Sequence, residues 1–128
     1  MSDIGAVIML GSQGKSRAEQ LLHRATQAAA VDLIETLARE ELAPIVLAAT
    51  DVQPTQPQTD CILDLDVGVF HFGRRLAGLV ERYQMTAVMY FGAASAPLLP
   101  ASVIGQMRTA LEAALRATPE PRLAITNN

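Results

Sequence analysis

The chain has no tryptophan, one cysteine, and only two tyrosines and three phenylalanines in 128 residues. Aromatics make up 4% of it while half of it is hydrophobic, so a core must be packed from Leu, Val, Ile, Ala and Met. The lone Cys61 excludes an internal disulfide. It reads as a small buried hydrophobe in a reducing, cytoplasmic setting, because no histidine or cation stands beside it in sequence to make a reactive thiol. A basic excess is also missing: 10 Lys and Arg face 13 Asp and Glu, for a net charge of −3. That argues against a general nucleic-acid surface. No apolar run approaches the ~20 residues of a membrane span. Met1-Ser2-Asp3 carries no basic residue, so no secretory leader is expected. There is no internal repeat and no low-complexity segment. The length fits one domain over residues 1–128.

What is present begins with Ala6-Val7-Ile8-Met9-Leu10, an unbroken apolar run that suits a strand buried on both faces. It stops at Gly11, and Ser12, Gln13, Gly14, Lys15, Ser16 and Arg17 follow before a long helical pattern. Strand, glycine turn, cations and helix together make an anion site: glycine lets the backbone approach a phosphate, helix N–H groups point outward, and lysine adds a point charge. A tight turn with a solvated lysine fits the same stretch equally well. From Ser16 to Leu42 apolar residues recur at Ala18, Leu22, Ala25, Ala29, Leu33 and Leu37, the spacing of one helical face, with room for a break near Ala28 to Val31. Ser16 with Glu19 has the form of a capping box, and Pro44 is expected to end the helix.

Ile45 to Ala49 reads as a second strand ending at Thr50-Asp51, and Cys61 to Leu65 as a short third strand at a sheet edge. The stretch between them holds Pro54, Pro57 and several glutamines and threonines, and reads as a polar loop. A helix over Phe72–Tyr83, a strand over Ala87–Phe91, a helix over Ala101–Ala117 and a strand over Leu123–Thr126 follow. In the first of these helices Leu76, Leu79 and Val80 should face inward, and in the second Val103, Met107, Ala110, Leu111, Ala114 and Leu115. This order implies an α/β fold: a three-layer α/β/α sandwich around a mainly parallel, doubly wound sheet with right-handed crossovers, Ile4–Leu10 at its centre. Ligands of such sheets sit beyond the carboxyl ends of the strands. Those ends are Gly11 to Ser16, Thr50-Asp51, Gly92 to Ser95 and Thr126 to Asn128, all four polar or glycine-rich.

Gly14-Lys15-Ser16 is not a P-loop, since Met9 stands where the first glycine is needed. A dinucleotide fingerprint fails too, for want of the glycine pair. A hydrophobic strand entering a short glycine turn with Lys and Arg nearby resembles the GT-A-type nucleotidyltransferases, which include the sugar-phosphate nucleotidyltransferases and the molybdenum-cofactor guanylyltransferases. Leu10-Gly11-Ser12 stands for their opening, with Lys15 and Arg17 as the cations. Pro44 to Asp51 looks like their second strand, and Tyr90 to Leu99 like the strand and loop that carry a metal-binding Asp two residues before a proline. The resemblance covers roughly Ile4 to Leu115.

The resemblance implies a Rossmann-like domain, the N-terminal half of a GT-A fold. It implies that Leu10, Gly11, Ser12, Gln13, Gly14, Lys15, Ser16, Asp51, Gly92 and Ser95 contact a nucleoside triphosphate, with Lys15 and Arg17 in the catalytic role and a small-molecule acceptor opposite. Two positions depart from the family. Ser12 replaces the second glycine, and Ser95 stands where Mg2+ finds its carboxylate, although a hydroxyl is a poor Mg2+ ligand. Little or no nucleotidyl transfer is therefore expected from this chain alone. The family continues into an acceptor half, so the resemblance implies either a missing C-terminal half or a homo-oligomer.

His71 reads as a helix-start or core residue and His23 as a surface one, so no metal site is expected from them. Asp64 and Asp66 form a D-x-D by letter, but they alternate with Leu63, Leu65 and Val67, which reads as the solvent face of an edge strand. Arg74, Arg75 and Arg82 read as a solvated helix face. The competing class is a regulatory or interaction domain derived from a nucleotide-binding fold, whose Ala28-Ala29-Ala30 and Ala113-Ala114 faces pack on a partner.

Overall fold

The computed structural model describes residues 4–11, 15–50, 60–66, 71–92, 99–117 and 122–125. Their order is β1 (Ile4–Leu10), α1 (Arg17–Arg39), β2 (Ile45–Ala49), β3 (Ile62–Leu65), α2 (Phe72–Arg82), β4 (Ala87–Gly92), α3 (Ala101–Ala117) and β5 (Arg122–Ile125). The strands form one sheet in the order β3-β2-β1-β4-β5, parallel at every pairing. The expected α/β class, the three layers and the central place of β1 are all present.

β1 is apolar on both sides because it is covered on both. Ile4, Ala6, Ile8 and Leu10 join Leu47, Met89 and Phe91 beneath α1 and α3, whose Ile34, Leu37, Ile104 and Leu111 complete that core. Val7, Val46, Ala48 and Val88 lie on the other side, beneath Leu76 and Leu79 of α2 and beside Met85. Gly5 belongs to this second layer for lack of space. A Cβ there would stand 2.6 Å from Met85 Sδ and 2.9 Å from the Pro44 carbonyl oxygen.

The crossovers do not all share one hand. The step from β1 to β2 and the step from β3 to β4 run in opposite directions across the sheet, with α1 and α2 on opposite faces, so these two agree. The step from β4 to β5 runs the same way as that from β3 to β4, yet α3 lies on the face of α1. Its hand is therefore opposite to the others, against the uniformly right-handed expectation. The position of α3 gives Met89 and Phe91 their cover, which α1, seated over β1 and β2, does not supply.

α1 runs unbroken through Ala28 to Val31, where successive alanines are strong helix formers. Pro44 does not end it. The helix stops at Arg39 in a Schellman arrangement: Glu41 takes φ 61°, Glu41 N donates to the Ala38 carbonyl, and Leu42 N donates to that of Leu37. α2 ends the same way, with Gln84 at φ 54° and Met85 N donating to the Val80 carbonyl. Buried Leu42 and Met85 anchor the two turns.

The inward face of α1 also differs from expectation. Ala18, Leu22 and Ala25 are exposed, and the buried residues are Gln27, Ala30, Leu33, Ile34 and Leu37. Length explains this. A 23-residue helix is about 34 Å long, whereas the 7 residues of β1 rise about 23 Å. The first turns of α1 overhang the sheet. In α3 the most buried residue is Ile104 rather than Val103, and Ala110 is exposed.

Candidate functional site

Strand order reverses between β1 and β4: the chain leaves β1 toward β2 and β3 on one side, and β4 toward β5 on the other. Their carboxyl ends come together, because Met9 pairs with Gly92 and Leu10 with Ala49. Gly92 thus stands opposite Met9, two residues before Gly11, at the switch point. Leu10 is buried and closes the core beneath them, Gly92 is half-buried, and Gly11 is exposed. A Cβ on Gly11 would meet nothing within 4 Å, and its φ lies outside the left-handed region. The fold itself places no steric demand for glycine there.

α1 starts at this edge. Ser16 Oγ accepts from Glu19 N at 3.1 Å, as the capping reading requires. The reciprocal bond goes to a different donor, for Lys15 N rather than Ser16 N donates to Glu19 Oε2, at 3.1 Å. A carboxylate therefore already sits on the positive end of the helix, where an incoming anion would compete with it. Lys15, Ser16 and Arg17 are all exposed. Ser12, Gln13, Gly14, Asp51 and Ser95 lie outside the described residues.

The reading of Asp64 as a solvent-facing residue is overturned. β3 presents Leu63 and Leu65 outward and buries Asp64, which faces α2 at 6% exposure. Its Oδ1 accepts from Arg75 Nη1 at 2.6 Å, and its Oδ2 accepts from Arg82 Nη1 at 2.7 Å and from Tyr83 Oη at 2.6 Å. Arg75 Nη2 also donates to the Asp64 carbonyl at 2.8 Å, and Arg75 Nε forms an ion pair with Asp66 at 2.5 Å. So Arg75, half-buried, and Arg82, exposed but held by Asp64, are not simply a solvated face, whereas exposed Arg74 fits that description. Burial, the largest single influence, pushes the Asp64 carboxyl up. The bonds from Tyr83, Arg75 and Arg82, with the Arg75 charge, outweigh it and hold the carboxyl below its ordinary value. The bond that Tyr83 donates to Asp64, then burial, pushes the Tyr83 phenol up. In sequence the cluster left a trace: Arg75 and Arg82 are seven apart, two turns of one helix face, and Tyr83 adjoins Arg82.

This chemistry does not suit Mg2+. Both Asp64 oxygens are held by cationic donors and Asp66 by Arg75. Among the described residues no group of His, Cys, Asp or Glu gathers to hold a metal ion. His71 caps α2, its Nδ1 accepting from Arg74 N at 3.4 Å, which agrees with its reading as a helix-start residue. Cys61 packs partly against the core, and burial, then Asp60, pushes its thiol up, away from a reactive thiolate. Among the described residues no helix is long and apolar enough to cross a membrane. His23 is half-buried rather than on the surface, and Gln27, which nothing in the sequence marked, is buried. Comparison with known proteins adds no relative: no family model, curated protein or solved structure matches the chain.

Proposed function

We propose that the edge formed by β1, β4 and the start of α1 binds the phosphates of a nucleoside triphosphate, in a domain akin to the GT-A nucleotidyltransferases. The observation that carries this reading is the pair Gly11 and Gly92 at the switch point, with open space above Gly11 that the fold does not use. Lys15 and Arg17 are the exposed cations nearest that space in the chain, and each would contribute charge-assisted bonds to phosphate oxygens. Since the described carboxylates do not suit Mg2+, binding without transfer is the activity expected, and no catalytic step is assigned to this chain.

Thermal unfolding with ATP, GTP, CTP and UTP, with and without Mg2+, tests the reading, since a ligand of the folded state raises the midpoint. Lys15→Ala is expected to weaken the best-bound nucleotide by roughly 1.5–3 kcal/mol, the scale of a hydrogen bond to a charged group. The midpoint of the free protein should not move, because Lys15 is exposed. Equal affinity in mutant and parent removes Lys15 from the site. Absence of any shift with all four nucleotides removes the function.

A second reading has its own observation. Leu21 and Leu22 are 58% and 69% exposed on the overhanging part of α1, and Leu63 and Leu65 are exposed on edge strand β3. An interaction domain would bury such side chains against a second copy or another protein. Light scattering over a concentration series, with Leu22→Gln beside the parent, separates the two readings. Association lost in the variant favours the interaction domain.

A further inference from the structure

β3 has β2 on one side and an open edge on the other. Asp66 N donates to the Ala49 carbonyl, and the main-chain groups of successive strand residues point to opposite sides. Asp64 and Asp66 therefore address β2, while Leu63 and Leu65 present their N–H and C=O groups to the open edge. The Leu63 and Leu65 side chains are 38% and 40% exposed. Cys61 packs toward the core beneath α1 and Ile62 toward the core beneath α2, so alternation puts Leu63 and Leu65 on the α1 face. α1 is seated over β1 and β2 and leaves this strip of β3 uncovered.

Proteins ordinarily blunt such an edge with lysine, proline, a bulge or an inward-pointing charge. Ile62–Leu65 holds no lysine and no proline. Its inward charge is Asp64, but Arg75, Arg82 and Tyr83 already satisfy that carboxylate within the chain. What remains at the edge is unshielded main chain flanked by leucine.

This edge is complementary to itself. Leu63-Asp64-Leu65 reads the same from either end. Two copies meeting about a two-fold axis at Asp64 run antiparallel, and each Leu63 stands opposite the partner's Leu65. These are the residues whose main-chain groups face outward, so each opposed pair can exchange both hydrogen bonds, and the leucines meet on one face. Charge agrees on the other face. α2 runs antiparallel to β3, so Arg75, near its start, reaches Asp66 as well as Asp64. Arg82, about 10 Å further along the helix, comes to Asp64 from the Ile62 side and is 61% exposed. The same axis sets Ile62 opposite the partner's Asp66, which brings each exposed Arg82 toward a carboxylate of the other copy.

We propose that two copies of this chain join through the open edge of β3, antiparallel about Asp64, into one continuous sheet. This rests on the reading of the chain as an interaction domain and names its partner. The strand is four residues long, and the contact is small beside the roughly 1,200–2,000 Å² of a stable interface, so the dimer should dissociate on dilution.

The test is light scattering of the full chain over a concentration series, with amide exchange at both ends of the series. The parent's mass should rise from that of one chain to that of two and stop there. The Leu63 and Leu65 amides, fast in dilute protein, should slow tenfold or more in concentrated protein. Leu65→Lys should keep the mass of one chain throughout and, when dilute, unfold as the dilute parent does, because that side chain is exposed. Leu63→Pro removes an outward N–H and no bond to β2, and should also stay single. If the proline variant fails to fold, Leu65→Lys and the amide exchange of the parent decide. Association lost in Leu22→Gln but kept in Leu65→Lys overturns the inference, leaves the interaction domain standing and puts its contact on α1. Growth past two copies overturns closure by a two-fold axis and the inference with it. A parent with the mass of one chain at every concentration overturns both the inference and any reading in which a second copy is the partner.

Discussion

Asp64 is a residue whose letter says little and whose surroundings say much. On an edge strand a carboxylate ordinarily faces water, but here the outward positions are taken by Leu63 and Leu65, and Asp64 turns toward Arg75, Arg82 and Tyr83. Removing one partner of a buried charge pair strands the other. Asp64→Ala is expected to cost about 3 kcal/mol in denaturant unfolding, the low end of the usual range because Arg82 is largely exposed and regains water. The pH dependence follows from the direction of the shift. The folded carboxyl lies below its ordinary value, so its contribution is fully present above the ordinary carboxylate pKa of about 3.9. It is lost as pH falls through the folded value. Parent and Asp64→Asn should therefore differ in unfolding temperature at neutral pH and converge in acid. A gap that persists in acid would mean that packing, not charge, carries the effect. The two glycines of β1 and its edge behave oppositely. Gly11→Ala should leave stability within about 0.5 kcal/mol, since its Cβ meets nothing within 4 Å. Gly5→Ala should lose about 1–3 kcal/mol, because the Met85 sulfur and the Pro44 carbonyl are in the way.

At the scale of elements, both α1 and α2 end on a residue that sequence rules would have made glycine. Glu41 and Gln84 occupy the left-handed region, which costs a side-chain-bearing residue about 1 kcal/mol. Gln84→Gly is expected to recover about 0.5–1 kcal/mol in equilibrium unfolding, and Glu41→Gly a similar amount. Unchanged or lowered stability in both would argue against the Schellman geometry. The other end of α1 carries a conflict between structure and the proposed site. Ser16 and Glu19 satisfy donors that a phosphate would otherwise use. Glu19→Gln keeps the shape of the cap and removes its charge. It should tighten tripolyphosphate binding several-fold in calorimetric titration, and an unchanged affinity would mean that the anion does not approach this end of the helix.

At the scale of the whole molecule, protection should follow the order of the sheet. β1 has a parallel neighbour on each side and helices on both faces, while β3 and β5 stand at the edges. Amide hydrogen exchange should be slowest in β1 and β4 and fastest in β3 and β5, with α1 dividing near Gln27 into a slow half over the sheet and a fast overhanging half. Equal protection along all of α1 would mean that something covers its first turns, Leu21 and Leu22 included.

The apolar runs of β1 and β2 carried their own answer: strands without a polar face have to be central and covered on both sides, and periodicity placed α3 over Ala101–Ala117 as found. The capping role of Ser16 was equally local, because it depends on residues within one turn. The inward face of α1 was not local. Its Ala18, Leu22 and Ala25 look like core, but the helix is longer than the strand it covers, and only the sheet's end decides which turns have anything to pack against. The hand of the α3 crossover, the burial of Asp64 against α2 and the inward place of Gln27 share that cause. Each depends on which surface stands opposite, and a residue's neighbours along the chain do not specify its neighbours across the sheet.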